Sequence, residues 1–375
     1  MALAATPRPD PVSVLRAPGA PSMPPGDDQP AGYAAFVGAV RSAVDLKLAA
    51  WLDAKVALAE GRGPAVGAVA DALRQLALRG GKRLRPVLLA GAYVGCGGEG
   101  GASRVVMAGV ALELLQVYLL VHDDWMDGDS VRRGGPSVPA LMKGLFSQPH
   151  DPRSDAASVL AGDLASTWSR EALFEVDLPA ACVVGAAREL ARAEEDVVQG
   201  QLLDVEGAAR DLGEVERVHT LKTASYSTTG PVAMGARLAG ADAAVVEALR
   251  AYAEPLGVAF QLRDDVLGTF GDEAAMGKPA GGDVRAGKRT AVVVEAMQDP
   301  RAAAALRRVA DSDGAEADVR NAIAAIEATG ARGRVEARIG AHATLSRQAL
   351  ARVTLTGAGR AVLEGAIGAL TERTA

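Results

Sequence analysis

The chain has 375 residues, 49% hydrophobic and 3% aromatic, with a formal net charge of −6. It is long enough to bury a large core, and its 40 basic residues are scattered rather than massed, so nothing in the charge calls for nucleic acid. Two cysteines, Cys96 and Cys182, cannot build a disulfide framework and lack metal-ligand spacing, which predicts buried thiols in a reducing, cytoplasmic setting. No basic start with an apolar core opens the chain, and no uninterrupted apolar run of 18 residues appears, so neither a secretory signal nor a membrane span is expected.

Residues 1–32 form a proline-rich tail: residues 1–30 carry eight of the 19 prolines. It holds too little apolar surface to offset its ordering entropy and is expected to be disordered. From Tyr33 the pattern is helical. Apolar residues recur at three and four in Phe36, Val40, Val44 and Leu48, then in Val66, Val69, Leu73 and Leu76. Val105–Val121 is apolar almost all round, broken mainly by Glu113 and Gln116, and predicts a buried central helix. Further helical patterns cover about 156–176, 180–208, 214–226, 232–268, 290–298 and 302–374. Turn-rich breaks fall at Gly134-Gly135-Pro136, at 148–153 and across Gly268–Gly287. No strand alternation persists, and no linker divides residues 33–375, so one all-α domain is expected.

Two acidic runs end apolar helical segments: Asp123-Asp124-Trp125-Met126-Asp127 and Asp264-Asp265. In a helix Asp123 and Asp127 share a face, with Asp124 to one side. Two carboxylates about 6 Å apart repel by roughly 3 kcal/mol at an effective dielectric near 20. Cations relieve that repulsion, and Mg²⁺ suits best because it takes oxygen ligands and shares its shell with substrate phosphates. A solvated helix end competes with this reading for either run alone.

Basic loops accompany the acids. Lys82, Arg83 and Arg85 follow Gly80-Gly81 and precede Pro86, where a loop meets a helix start and can receive phosphate. Arg132 and Arg133 lie in a second Gly-Pro-bounded loop; Lys278, Asp283, Lys288 and Arg289 lie in and after the glycine-rich stretch that follows Asp265. Gln201 and Asp204 share a helix face ahead of Lys222-Thr223.

Taken in order, GGKRLRP, HDDWMD, RRGGP, AGDLA, GQLLD, KT, FQLRDD and GKPAGGDVRAGK resemble the motifs of the trans-isoprenyl (polyprenyl) diphosphate synthases. The resemblance implies an isoprenoid-synthase-type helical bundle around a deep central cavity, as a homodimer using three Mg²⁺ ions, with isopentenyl and allylic diphosphates as substrates. It would place Asp123 and Asp127, with Asp124 beside them, at two Mg²⁺ ions on the allylic diphosphate. Asp264, with Asp265 beside it, would serve a third ion from the opposite helix. Lys82, Arg85, Gln116 and Arg133 match positions that hold isopentenyl diphosphate; Arg132, Lys222, Gln261 and Lys278 match allylic diphosphate contacts. Thr223 and Asp204 would lie near the reacting carbon. One departure stands out: the second motif reads Asp264-Asp265-Val266-Leu267-Gly268, with glycine for its usual last aspartate, and Asp272 is a candidate substitute.

Chain growth is expected to run from Asp123 back along its own helix, so Tyr118 and Leu119 form its floor. A single aromatic there, without an insertion in the motif, resembles synthases making the C20 product geranylgeranyl diphosphate; farnesyl and C25 products are the alternatives. His122 is expected to serve structure, while His150, His219 and His342 show no partner pattern. A metal-dependent HD phosphohydrolase needs more convincing histidines than the four present. A class I terpene cyclase normally lacks the GGKRLRP and RRGGP loops. A regulatory subunit of a heteromeric synthase normally has eroded aspartate motifs.

Overall fold

The computed structural model describes residues 32–145, 151–207, 209–271 and 281–373. The proline-rich tail (apart from Gly32), His150, Asp272 and Lys278 lie outside the described residues. Helices dominate, and the only strands among the described residues are Val131–Arg132 and Gly135–Pro136, paired as a short antiparallel hairpin. The chain divides into two compact units, one drawn from Met1–Ala90 and Glu99–Leu178, the other from Gly91–Gly98 and Pro179–Ala375.

The first unit contains Tyr33–Glu60, Pro64–Leu78, Val106–Asp127, Val138–Leu145 and Pro152–Phe174, with the opening turns of Leu84–Gly95. Phe36, Val40, Val44 and Leu48 are all buried, as their spacing predicts. In the second helix burial begins later, at Gly67 and Ala70, and Val66 is exposed. Val106–Asp127 is the core helix, buried from Ala108 through Val117. Pro152–Phe174 packs along it through small residues (Ala161, Gly162, Ala165, Ser169), which permit close approach, and the Ser169 hydroxyl donates to Ala111 O at 2.8 Å. The stretch Ala102–Asp127 is long and apolar enough to cross a membrane, but 67% of its most apolar window is buried inside the protein, as in a core helix.

One buried charge system organises this unit. Arg83 is 3% exposed and has φ +47°, an uncommon left-handed conformation for a side chain of its size. Its guanidinium donates to Asp45 at 2.7 Å, to Ala77 O at 3.0 Å and to the buried Glu113. Arg83 is therefore not among the cations of the basic loop available to phosphate: it anchors that loop to the core.

The second unit is built around Ala243–Phe270, which packs on Ala331–Ala351 and on Thr220–Thr229. Thr220–Thr229 is a widened, π-helical stretch, closed by Gly230 N–H donating to Ser225 O five residues back. Glycines let it approach its neighbours: a Cβ at residue 200 would lie 2.2 Å from Lys222 N, and one at 257 would lie 2.4 Å from Ala224 Cβ. The pattern over 302–374 resolves into Pro300–Asp311, Glu316–Ala328, Ala331–Ala351 and Gly357–Thr371. Asp313, Gly314 and Gly330 hold positive φ at the first two breaks and stop the helix there. Cys96 and Cys182 are free and only half-buried; burial pushes the Cys96 thiol up to about 11, which keeps it protonated and inert.

Replacing Arg83 with Met would strand the buried Glu113 carboxylate. A loss of about 3–5 kcal/mol is expected, read as a lower urea midpoint; an unchanged midpoint would contradict the anchoring role.

Candidate functional site

In the first unit the acidic motif lies at a helix end. Asp127 is the last helical residue, and Gly128 follows at φ +70°, the left-handed stop that terminates the helix. Asp123 is partly exposed and Asp127 exposed, one turn apart. Asp124 is wholly buried and accepts from Arg132 Nε at 2.6 Å. Burial pushes the Asp124 carboxyl up to about 6, against the opposing pull of that hydrogen bond. Arg132 also reaches Asp129 at 3.0 Å and Asp123 at 3.5 Å, so the hairpin is tied to the acidic helix rather than solvated. Arg79 fixes the hairpin from beneath, donating to Pro136 O at 2.6 Å and Arg132 O at 3.1 Å.

The basic loops meet in the same unit. Arg133 stands at φ +51°, and a Cβ on Gly81 would lie 3.8 Å from its Nη2, so the two Gly-bounded loops are neighbours. Burial and the positive charges of Arg83, Arg85 and Arg132 hold Arg133 below the ordinary guanidinium range, while Glu113 pulls the other way. Arg133 Nη1 and Gln116 Oε1 are buried with no hydrogen-bond partner. Lys82 is exposed at the loop tip and Arg85 half-buried behind it. Crowded cations with an unsatisfied buried donor are what an anion would complete.

Tyr118 and Leu119, expected to floor the growing chain, lie in the first unit as well. Tyr118 and Leu119 are half-buried, and the Tyr118 ring meets His122 edge-on, with centroids 4.9 Å apart. His122 Nε2 lies 3.0 Å from Val159 O; a carbonyl only accepts, so this nitrogen carries the proton. Gly162 makes the room: a Cβ there would come within 2.2 Å of the imidazole. His122 is thus packed between Tyr118, Val159 O and Gly162.

In the second unit, Lys222 Nζ donates to Asp204 at 2.5 Å. The Thr223 hydroxyl donates to Gln261 Oε1 at 3.1 Å, and Gln261 Nε2 donates to Asp265 at 3.1 Å. Asp265 is buried and also accepts Ala291 N–H at 2.8 Å, at the start of helix Ala291–Ala296. His219 Nε2 lies 3.4 Å from the same carboxylate. Burial lowers the His219 pKa despite the pull of Asp265, so its imidazole is neutral near pH 7. Asp264, partly exposed, pairs with Arg373, whose guanidinium stacks 4.6 Å from the Phe260 ring. Helix Ala243–Phe270 continues through Gly268 to Phe270.

The structure thus joins Asp123, Asp124 and Arg132 in one unit, and Lys222 with Asp204 and Thr223 with Gln261 and Asp265 in the other. His219, Arg373 and the anchoring role of Arg83 are not visible in the motifs, because each depends on partners distant in sequence.

The fold is the all-helical isoprenoid-synthase fold. A solved geranylgeranyl pyrophosphate synthase from Corynebacterium glutamicum, complexed with isoprenyl diphosphate and magnesium, superimposes with TM-score 0.81 at 32% identity, covering 90% of this chain and 98% of that one. The polyprenyl synthetase family matches residues 67–326, and the chain belongs to that family. A geranylgeranyl diphosphate synthase of Sulfolobus acidocaldarius is 34% identical over 233 residues, 61% of this chain and 66% of the relative's own length. A farnesyl diphosphate synthase of Geobacillus stearothermophilus is 35% identical over 220 residues, 56% of this chain and 69% of the relative.

Substituting Gly162 with Ala would force the His122 ring from its slot. Overpacking of this kind is expected to cost about 1–3 kcal/mol, measured as a lower melting temperature; a neutral or stabilising outcome would show that the slot is not tight.

Proposed function

We propose that the protein is a Mg²⁺-dependent prenyltransferase condensing isopentenyl diphosphate head-to-tail with an allylic diphosphate to give geranylgeranyl diphosphate. The observation that carries this reading is the buried cation cluster of the first unit, where the donor Arg133 Nη1 has no hydrogen-bond partner beside the charges of Arg83, Arg85 and Arg132. The carboxylates fit the metal: Asp123 and Asp127 stand one turn apart at the end of their helix, partly exposed and exposed. That agrees with Mg²⁺, which takes one or two carboxylates and completes its shell with water and phosphate.

Lys82, Arg85, Gln116 and Arg133 hold isopentenyl diphosphate, while Arg132, Lys222, Gln261 and Lys278 hold the allylic diphosphate. Asp123 and Asp127 receive Mg²⁺ at the first motif and Asp264 at the second, three ions in all. Asp124 and Asp265, both buried and hydrogen-bonded, keep the ligating aspartates in place. When bound, Mg²⁺ neutralises charge on the leaving diphosphate. The allylic C–O bond breaks with its electron pair leaving on oxygen, the isopentenyl double bond attacks the resulting cation, and a proton passes to the departing diphosphate. Thr223, its hydrogen donated to Gln261, turns oxygen lone pairs outward to steady the cation, with Asp204 nearby.

Residues 33–375 act as one catalytic domain, in the cytoplasm and as a homodimer. The farnesyl synthase relative keeps a shorter product in view, and product length separates the two readings.

Incubation with isopentenyl diphosphate, Mg²⁺ and a C5, C10 or C15 starter is expected to give a discrete C20 diphosphate by mass. Tyr118→Ala is expected to lengthen it. A discrete product of another length would overturn only the C20 assignment, and no condensation with any starter would overturn the reading.

A further inference from the structure

The second aspartate motif lacks its last carboxylate because residue 268 is glycine, and the structure shows what stands there instead. A Cβ built on Gly268 would lie 1.9 Å from Asp283 Oδ2 and 2.8 Å from its Cγ. The Asp283 carboxylate thus fills the volume that a side chain at 268 would occupy. Residues 264 and 268 are one helical turn apart and share a face, with Cβ positions about 6 Å apart. Asp283 therefore presents a carboxylate one turn beyond Asp264, on the same side of helix Ala243–Phe270.

The turn carrying Asp283 is held firmly. Val284 is buried in the core, and a Cβ on Gly281, at φ +73°, would come within 2.6 Å of Ile323. Arg285 donates to Glu316 at 2.8 Å, and Lys288 N–H donates to Asp283 O at 2.9 Å. A carboxylate on so anchored a turn keeps its position without support from residue 268. A Cβ at 268 would displace the Asp283 carboxylate from this position.

We propose that Asp283 supplies the carboxylate that the helix lacks at position 268 and acts with Asp264 on the metal ion serving the second motif. This rests on the Mg²⁺-diphosphate reading above. The acid comes from the short helix Gly282–Arg285, 15 residues downstream of Gly268, rather than from the next turn of the same helix. Asp265, buried on Ala291 N–H and Gln261, is committed elsewhere and does not compete for the role.

Mn²⁺ binding to the full chain in the presence of inorganic diphosphate, followed by electron paramagnetic resonance, tests this without turnover. Asp283→Asn, nearly isosteric, is expected to weaken one class of Mn²⁺ sites about tenfold or more. Gly268→Ala is expected to do the same by displacing Asp283, although Ala is the better helix former. Gly268→Asp combined with Asp283→Ala is expected to recover binding, since the carboxylate returns to the helix and its obstruction is gone. Wild-type affinity in Asp283→Asn, or no recovery in the double variant while its melting temperature is retained, would overturn the role of Asp283. Absence of diphosphate-dependent Mn²⁺ binding in the wild-type chain would instead count against the prenyltransferase reading itself.

Discussion

The buried contact of Arg83 with Glu113 and Asp45 is the interaction on which the first unit's site depends. A charged pair at this depth contributes little net stability, because desolvation offsets most of its attraction, yet losing one partner is costly. What it supplies is position. It pins the glycine loop to Val106–Asp127, the helix that also carries the acidic motif, so Lys82 and Arg85 are displayed at a set distance from Asp123 and Asp127. The left-handed backbone at Arg83 is the strain accepted for that placement.

Asp265 has the corresponding part in the second unit. One buried carboxylate takes a helix N-terminal N–H and a glutamine amide, with neutral His219 beside it. Through Gln261 it sets Thr223, and through the helix itself it orients Asp264. Each unit thus contains an adjacent aspartate pair in which one acid is buried and hydrogen-bonded, while its neighbour, Asp123 or the Arg373-paired Asp264, is partly exposed. The division follows from helical geometry, since consecutive residues point about 100° apart.

Much of this was legible in the sequence. Helical class, the buried central helix and the motif positions follow from apolar periodicity and from charges placed at helix ends. The rest depended on contacts that spacing does not encode. Arg83 reads like its loop neighbours, and only Asp45 and Glu113, 38 and 30 residues away, make it a core residue. The helical pattern from 302 to 374 hides breaks because alanine-rich segments continue the 3.6 period through short glycine turns. His219 has no local pattern because its partner Asp265 is 46 positions further on. Gly268 reads as an eroded motif, and only the position of the Asp283 side chain against it shows a carboxylate at the same place.

We propose that the aspartates and the basic loops serve one metal-diphosphate chemistry. Titrating the protein with inorganic diphosphate in a calorimeter, with Mg²⁺ and again with a chelator, tests it directly. The account predicts saturable binding that requires Mg²⁺, with a matching rise in melting temperature because ligand binds only the folded chain. Equal diphosphate affinity with and without Mg²⁺ would contradict it.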